Sequence, residues 1–322
     1  PGPSAGRDGN AMYTTLIEPA ALAAHHADPD WVLLDCRFEL SQPDWGARAY
    51  AVGHIPHAQY AHLDRDLSGP VTAESGRHPL PDLGALSAKL SAWGVDAAVQ
   101  VVAYDQGSGA YAARMWWLMR WAGHRCVAVL DGGLAAWQQA GLPVTTEVEV
   151  RPPRQFVARA NAAEVISTAE LAAALAAGEF ERGARLLVDA RGADRFAGQN
   201  ETIDPVAGHV PGARNQPFTG NLDQGRFLPA AALRARWLGT LQGRSPAQLV
   251  SMCGSGVTAC HNLLALEVAG LPGGRLYAGS WSEWIREPTR PTSPPRTGTA
   301  GTSPAGRSQS RTGPPDPSPA GE

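Results

Sequence analysis

Cys253 is the residue of this chain whose surroundings best suit a nucleophile. It begins the segment Cys-Gly-Ser-Gly-Val-Thr-Ala (253–259), after an apolar run of strand length and before a helical pattern. The two glycines permit tight turns that residues with a Cβ would resist. A loop of this kind turns backbone N–H groups, and the partial positive charge of a helix N-terminus, toward its centre. A thiolate would be stabilised there, so we expect nucleophilic chemistry at Cys253.

The other three cysteines are expected to be packing residues. Cys36 and Cys126 lie in apolar, strand-like segments, and Cys260 stands among apolar neighbours one turn into the predicted helix. A buried free cysteine behaves as a small apolar residue. Because no two cysteines form a close Cys-x-x-Cys pair, they indicate neither a disulfide framework nor a zinc site, and we expect free thiols in a reducing compartment.

The sequence around the loop is repeated within the chain. Leu-Asp-Cys-Arg (34–37) is echoed by Val-Asp-Ala-Arg (188–191), and Gly-His-Ile-Pro (53–56) by Gly-His-Val-Pro (208–211). Four landmarks in the same order at nearly equal spacing indicate two copies of one domain.

The later landmarks of the repeat place Asp105 opposite Cys253. An apolar run of strand length precedes each of the two residues, and Trp137 and Trp284 follow 32 and 31 positions later. The second copy alone therefore has a thiol at this position.

We predict two domains, residues 12–145 without the reactive cysteine and 161–286 with it, joined by a linker at 146–160. Residues 1–11 and 287–322 are expected to be disordered, because these Gly-, Pro- and Ser-rich segments contain too little apolar surface to pack.

Short apolar runs alternate with helical patterns in both copies. This order predicts an α/β fold, with each domain a mainly parallel sheet flanked by helices on both faces. Buried strands are predicted at 31–34, 99–104, 127–130, 186–188, 248–252 and 274–277, and helices at 110–121 and 258–269. Function in such sheets usually lies beyond the carboxyl ends of strands, which is where Cys253 falls.

The composition indicates an ordinary globular protein. The formal net charge of -3 gives no indication of nucleic-acid binding, and no apolar run approaches the roughly 20 residues that span a bilayer. The N-terminal residues show no secretory pattern, so a cytoplasmic location is expected. We expect no membrane association, and no metal ion or organic cofactor is implied.

Taken together, the repeat, the Gly-His-Ile/Val-Pro landmarks, the Asp-Gly-Gly and Gly-Ser-Trp segments and Cys-Gly-Ser-Gly-Val-Thr-Ala-Cys resemble the two-domain rhodanese and 3-mercaptopyruvate sulfurtransferase family. The resemblance runs from about Thr14 to about Ile285. In that family only the C-terminal domain carries the active cysteine, as the pairing of Asp105 with Cys253 also indicates. The resemblance implies that Cys253 takes sulfane sulfur from a small-molecule donor as a persulfide. It then passes the sulfur to cyanide or to a thiol, such as that of a thioredoxin-like reductant.

The resemblance also implies roles for individual residues. Arg195, in Asp-Arg-Phe, would bind the anionic group of the donor. Ser255 would form a relay with His78 and Asp64, and Asp66 remains an alternative to Asp64. The donor would lie against the loop, and its further contacts would come from Gly254, Gly256, Val257 and Thr258.

The loop favours 3-mercaptopyruvate as the donor. Family members that use thiosulfate resemble Cys-Arg-Lys-Gly-Val-Thr, whereas here Gly254 and Ser255 stand at the two cationic positions. Thiosulfate remains the alternative donor. Members that use mercaptopyruvate often have a second arginine shortly after Asp-Arg-Phe, but residues 198–207 contain none. Either Arg195 acts alone, or another cation such as Arg191 assists it.

Two other classes of protein fit less well. Cysteine phosphatases need an arginine six residues after the cysteine, and position 259 is alanine. A rhodanese-like module that only binds partners is disfavoured because Cys253 stands in a complete loop.

Overall fold

Each half of the chain is built around a parallel sheet in a computed structural model that describes residues 12–294. The predicted disordered segments 1–11 and 295–322 lie outside the described residues. No helix within 12–294 has the length and apolar character needed to cross a bilayer.

The sheet of the first half has the strand order β1-β5-β4-β2-β3, and all its pairs are parallel. The strands of this half are β1 (Leu16–Ile17), β2 (Trp31–Asp35), β3 (Ala58–Tyr60), β4 (Gln100–Tyr104) and β5 (Val127–Leu130). Its helices are α1 (Pro19–Ala23), α2 (Trp45–Val52), α3 (Leu83–Ala92), α4 (Ala112–Trp121) and α5 (Gly133–Gln139).

The second half repeats this plan with a parallel sheet of order β11-β10-β6-β7 and an added antiparallel hairpin, β8–β9. Its strands are β6 (Leu186–Asp189), β7 (Arg214–Asn215), β8 (Leu222–Asp223), β9 (Arg226–Phe227), β10 (Leu249–Met252) and β11 (Arg275–Leu276). Its helices are α6 (Thr168–Ala176), α7 (Ala193–Phe196), α8 (Ala230–Leu241), α9 (Thr258–Val268) and α10 (Ser280–Trp284).

Successive residues of the central strands enter different apolar cores. In β2, Val32 and Leu34 join the core between the two sheets, whereas Trp31 and Leu33 face the outer layer of helices. Side chains alternate between the faces of a strand, so an unbroken apolar run is what a sheet covered on both faces requires. The predicted fold class, with helices on both faces of each sheet, is confirmed.

The two halves share a buried Asp–Arg ion pair as well as a similar order of strands and helices. In each half the arginine of Asp-x-Arg binds that aspartate and also donates from Nη2 to the carbonyl of the glycine in Gly-His. This second bond measures 2.8 Å for Arg37 to Gly53 and 2.8 Å for Arg191 to Gly208. The motif therefore ties the end of a central strand to the loop that leads into the neighbouring strand.

The halves pack against each other through helices α4 and α9. At one end of this contact Arg120 pairs with Glu267 at 2.9 Å. At the other end the hairpin of the second half reaches the first, where the N–H of Phe227 donates to Oδ1 of Asp131 at 2.8 Å. The contact buries apolar side chains of both halves in one continuous core.

The predicted linker 146–160 contains no helix or strand. It runs along the first half, where Arg154 pairs with Asp30 and Asp96 and Phe156 is buried.

The predicted disorder does not hold for residues 287–294, which pack on the second half. The indole of Trp284 donates to the carbonyl of Pro291 at 2.9 Å, and Ser293 pairs with His209 through two backbone bonds. This segment is held by backbone hydrogen bonds and by one tryptophan side chain. A search of the sequence for periodic apolar residues does not detect contacts of this kind.

Candidate active site

Cys253 immediately follows β10, at the carboxyl end of a central strand, and its side chain is buried. Its Sγ lies 3.1 Å from the backbone nitrogen of Gly256, which donates to it. Two hydrogen bonds to the start of α10 hold the loop in place. The N–H of Cys253 donates to Oγ of Ser280 at 3.0 Å, and its carbonyl accepts from the N–H of Trp281 at 3.0 Å. The sulfur therefore lies inside the curl of the loop, just before helix α9.

Gly256 is required by the shape of this loop. Its φ is +79°, and a Cβ there would lie 2.3 Å from the carbonyl oxygen of Ala278. Only glycine adopts this conformation without strain and also tolerates so close a backbone. The residue thus lets the chain turn back and present its N–H to the sulfur.

The structure brings the three predicted relay residues together across the two halves. Nδ1 of His78 lies 2.7 Å from Oγ of Ser255, and Nε2 of His78 lies 3.2 Å from Oδ1 of Asp64. The alternative, Asp66, is turned away and pairs with Lys89 at 2.7 Å. Asp64 is therefore the acidic neighbour of His78.

The charges in this group determine the direction of its hydrogen bonds. Burial lowers the pKa of His78, and the hydrogen bond from His78 lowers the pKa of Asp64. A carboxylate only accepts, so the proton of the neutral imidazole lies on Nε2 and Nδ1 accepts from the hydroxyl of Ser255. Ser255 is thus held with its oxygen facing the cavity beside Cys253.

Arg195 lies on the short helix α7 and is held by two buried carboxylates. Its Nη2 lies 2.9 Å from Glu201 and 3.1 Å from Asp204. About a fifth of its side chain is exposed (19%), enough to face a ligand in the cavity.

A second arginine, Arg77, approaches the loop from the first half. Asp204 pairs with it on one carboxylate oxygen and with Arg195 on the other. A Cβ on Gly254 would lie 2.9 Å from Nη2 of Arg77 and 3.6 Å from Nη2 of Arg195. Both guanidinium groups therefore cover the residue that follows Cys253. Sequence reasoning missed Arg77, although its position next to His78 is a signal that could have found it.

Arg191 is not available as the second cation. Its Nε and Nη2 are engaged by Asp189 and by the carbonyl of Gly208, and its Nη1 lies 3.4 Å from Glu201. The contacts with the aspartate and the glycine carbonyl recur for Arg37 in the first half, which marks them as part of the fold.

The loop that contains Cys253 opens onto a cavity of about 330 Å³ between the halves. The predicted loop residues line it, namely Gly254, Ser255, Val257 and Thr258 beside Cys253; Gly256 acts from behind, through its N–H. The first half contributes His78, Arg77 and the loop that contains Gln106 and Tyr111. The volume suits a small organic acid.

The loop of the first half shows what this architecture binds. Asp105 stands where the second half has Cys253, and its buried carboxylate accepts four backbone N–H bonds. Oδ1 accepts from Gly107 and Gly109 at 2.9 and 3.0 Å, and Oδ2 from Tyr111 and Ala112 at 2.9 and 3.3 Å. Although burial raises the pKa of Asp105, a loop that follows a central strand and leads into a helix thus directs several backbone N–H donors at one side chain in this fold.

Comparisons with known proteins agree with this geometry. The model of the rhodanese-like domain matches residues 18–140 and 167–287. A Pseudomonas aeruginosa protein named "Probable 3-mercaptopyruvate sulfurtransferase" is 52% identical over 279 residues, which cover 86% of this chain and 96% of the relative. A Mycobacterium tuberculosis protein named "Putative thiosulfate sulfurtransferase SseB" is 40% identical over 284 residues, covering 87% and 97%.

Among solved structures, the 3-mercaptopyruvate sulfurtransferase from Leishmania major superposes with a TM-score of 0.75 at 30% identity. The match covers 85% of this chain and 76% of that one. The repeat, the cysteine loop and these matches lead to one assignment: the chain belongs to the family of two-domain rhodaneses and 3-mercaptopyruvate sulfurtransferases.

Proposed function

We propose that this chain is a 3-mercaptopyruvate sulfurtransferase in which Cys253 carries the sulfur as a persulfide. The observation that supports this most is the placement of the Cys253 sulfur, which accepts from the N–H of Gly256, beside Ser255 and next to Arg77 and Arg195. The names of several relatives give the same activity.

In the proposed reaction the donor's carboxylate binds the two arginines and its thiol sulfur meets Cys253. The thiolate attacks that sulfur, a sulfur–sulfur bond forms, and the bond between sulfur and C3 breaks with its electron pair on C3. The resulting enolate of pyruvate takes up the proton that the donor's thiol gives up. Ser255, bound to His78, is placed to pass that proton across, and a persulfide anion remains in the loop.

The charges around the cavity favour a donor with a single charge. The three arginines that line the cavity, Arg77, Arg191 and Arg195, are matched by three buried carboxylates, those of Asp189, Glu201 and Asp204. Because these charges cancel, the cavity lining has little excess positive charge. It can therefore balance the single carboxylate of mercaptopyruvate better than the two negative charges of thiosulfate. The cationic side chains of thiosulfate-type loops would also collide here, because Arg77 occupies the space beside Gly254.

Thiosulfate is the second candidate donor, and the name of the Mycobacterium tuberculosis relative supports it. Its transfer to Cys253 releases sulfite and requires no proton at carbon. Ser255 and His78 would then have no proton to transfer. This donor is therefore the less favoured one.

The test is to incubate the purified chain with 3-mercaptopyruvate and dithiothreitol and to measure pyruvate and sulfide. We expect turnover that Cys253→Ser abolishes and that the matched control Cys260→Ser retains, since the sulfur of Cys260 is buried on α9. Absence of turnover in the parent chain, or turnover that survives in Cys253→Ser, would refute the proposal. A higher kcat/KM with thiosulfate and cyanide would reverse the choice of donor.

For the second step we propose a thiol acceptor, such as a thioredoxin-like reductant, with cyanide as an alternative. A reducing compartment such as the cytoplasm suits this chemistry because the nucleophile must return to a free thiol. All four cysteines are unpaired in the part of the chain that the structure describes.

A further inference from the structure

Arg114 is a fully buried cation in helix α4, between the two halves. It interrupts an otherwise apolar helix surface that includes Met115, Trp116 and Trp117. Among residues 12–294 no carboxylate forms an ion pair with it. An isolated buried charge costs several kcal/mol, so its presence calls for a compensating group.

The guanidinium of Arg114 joins the two segments that build the site. Its Nη1 donates to the carbonyl of Gly256 at 3.1 Å, and its Nη2 donates to the carbonyl of His78 at 3.0 Å. Gly256 is the residue whose N–H binds the sulfur of Cys253. Arg114 therefore contacts the loop directly, and the single residue Gly256 lies between its guanidinium and the sulfur of Cys253.

Two cysteines are the groups near Arg114 that could carry the negative charge. Burial lowers the pKa of Arg114, and its interactions with Cys260 and Cys253 oppose this effect. Burial raises the pKa of Cys260 to about 12, so that residue stays a neutral thiol and donates to the carbonyl of Gly256 at 3.3 Å. The sulfur of Cys253, which accepts from the N–H of Gly256 at 3.1 Å, is the other cysteine group on this side of the loop.

We propose that Arg114 is a positioning residue that supplies the buried counter-charge for the thiolate and persulfide of Cys253. It acts through the backbone of Gly256, whose carbonyl it binds, and at the same time fixes His78 beside Ser255. The inference rests on the proposed function, in which Cys253 carries the sulfur. It assigns to the half without a reactive cysteine an electrostatic task in addition to its contacts with the donor.

The experiment compares two variants that separate charge from hydrogen bonding. Arg114→Gln keeps an N–H donor and loses the charge. Arg114→Lys keeps the charge and loses the planar guanidinium, whose two terminal nitrogens bind two carbonyl groups. Arg120→Met is the matched control, because Arg120 lies on the same helix and crosses the same interface, to Glu267. The rate of alkylation of Cys253 by iodoacetamide is measured against pH by mass spectrometry, with unfolding in denaturant as the measure of folding.

We expect the pH of half-maximal alkylation to rise by about one pH unit or more in Arg114→Gln, since an opposite charge at short range shifts a titration by that amount. It should stay near the parent value in Arg114→Lys and in Arg120→Met. Unchanged profiles in both Arg114 variants, or equal shifts in both, would overturn the proposal.

If Arg114→Gln fails to fold, Arg114→Met takes its place as the uncharged variant, and the comparison with Arg114→Lys is read in the same way. Alkylation needs no sulfur donor. A chain that never turns over mercaptopyruvate would therefore refute the proposed function and still report on Arg114.

Discussion

Nδ1 of His78 lies 2.7 Å from Oγ of Ser255, although 177 positions separate the two residues in the chain. One comes from the first half and the other from the loop of the second. The two side chains meet because α4 and α9 hold the halves together. Substitutions in the half without the cysteine should therefore change the chemistry of the other half.

Replacing His78 with Asn should separate the two donors. With 3-mercaptopyruvate we expect kcat to fall about 10²–10⁴-fold, the usual contribution of a positioned acid or base. With thiosulfate the fall should be much smaller, because sulfite leaves without taking a proton at carbon. Steady-state kinetics with both donors test this, and Asp66→Asn is the control because Asp66 pairs with Lys89 instead. Equal losses with both donors would show that His78 only supports the structure.

Replacing Arg77 with Met should weaken donor binding. We expect KM for 3-mercaptopyruvate to rise about 10–100-fold with a small change in kcat, because a charge-assisted hydrogen bond to a carboxylate is lost. Arg286→Met is the matched control, since Arg286 joins the same seam by donating to the carbonyl of Ser75 but contributes no side chain to the cavity. An unchanged KM would remove Arg77 from the donor site.

Gly254→Ala should act through the same arginine. The added methyl group would lie 2.9 Å from Nη2 of Arg77, the mobile end of a side chain, so the fold should survive while Arg77 is displaced. The KM effects of Gly254→Ala and Arg77→Met should then be less than additive in a double-mutant cycle. Full additivity would contradict a shared cause.

Asp105→Ala should destabilise the first half. Four backbone N–H groups would lose their acceptor, and we expect the free energy of unfolding to fall by about 3–5 kcal/mol. Asp105→Asn keeps one oxygen and should cost less. Denaturant titration measures both, and an equal loss in the two variants would argue against the bonds as the source of stability.

His261 should make the protein sensitive to acid. It is fully buried at the interface, where Nε2 donates to the carbonyl of Ser108 at 3.0 Å and the ring stacks on Phe227. Burial lowers its pKa from 6.5 to about 4. Between these values the unfolded chain binds more protons than the folded chain, so this contribution is complete above pH 6.5 and is lost as the pH falls toward 4. The loss is about 3 kcal/mol.

The measurement is the free energy of unfolding as a function of pH. In His261→Gln, which keeps a donor for Ser108, the slope between pH 6.5 and 4 should decrease by about one proton. Parallel curves for the two proteins would exclude His261 as the acid-sensitive group.

The central strands and the main interface helices could be predicted because their signals are local. An apolar run that must be buried on both faces identifies β2 and β4, and the glycine loop marks the end of β10. The hairpin β8–β9 escaped prediction because its strands are two residues long and are fixed by Asp131 of the other half.

The part of the candidate site that could be predicted is the part in which a residue type, such as cysteine in a glycine-rich loop, itself indicates the chemistry. Cys253 and the Ser255 loop could be located by composition and by the repeat. Arg77 was missed although it adjoins His78, and Arg114 could not be located, since its partners are distant in sequence and its role depends on the angle at which the halves meet. The spacing of acidic residues could not separate Asp64 from Asp66, whereas the direction of the side chains does.

The side chain of Asp105 also determines how many sulfur atoms one chain can carry. The loop of the first half is permanently filled by a carboxyl group that belongs to the chain, so no donor can charge it. Of two equivalent positions in one polypeptide, only that of Cys253 can exchange its occupant. A fully loaded chain should therefore gain the mass of a single sulfur atom.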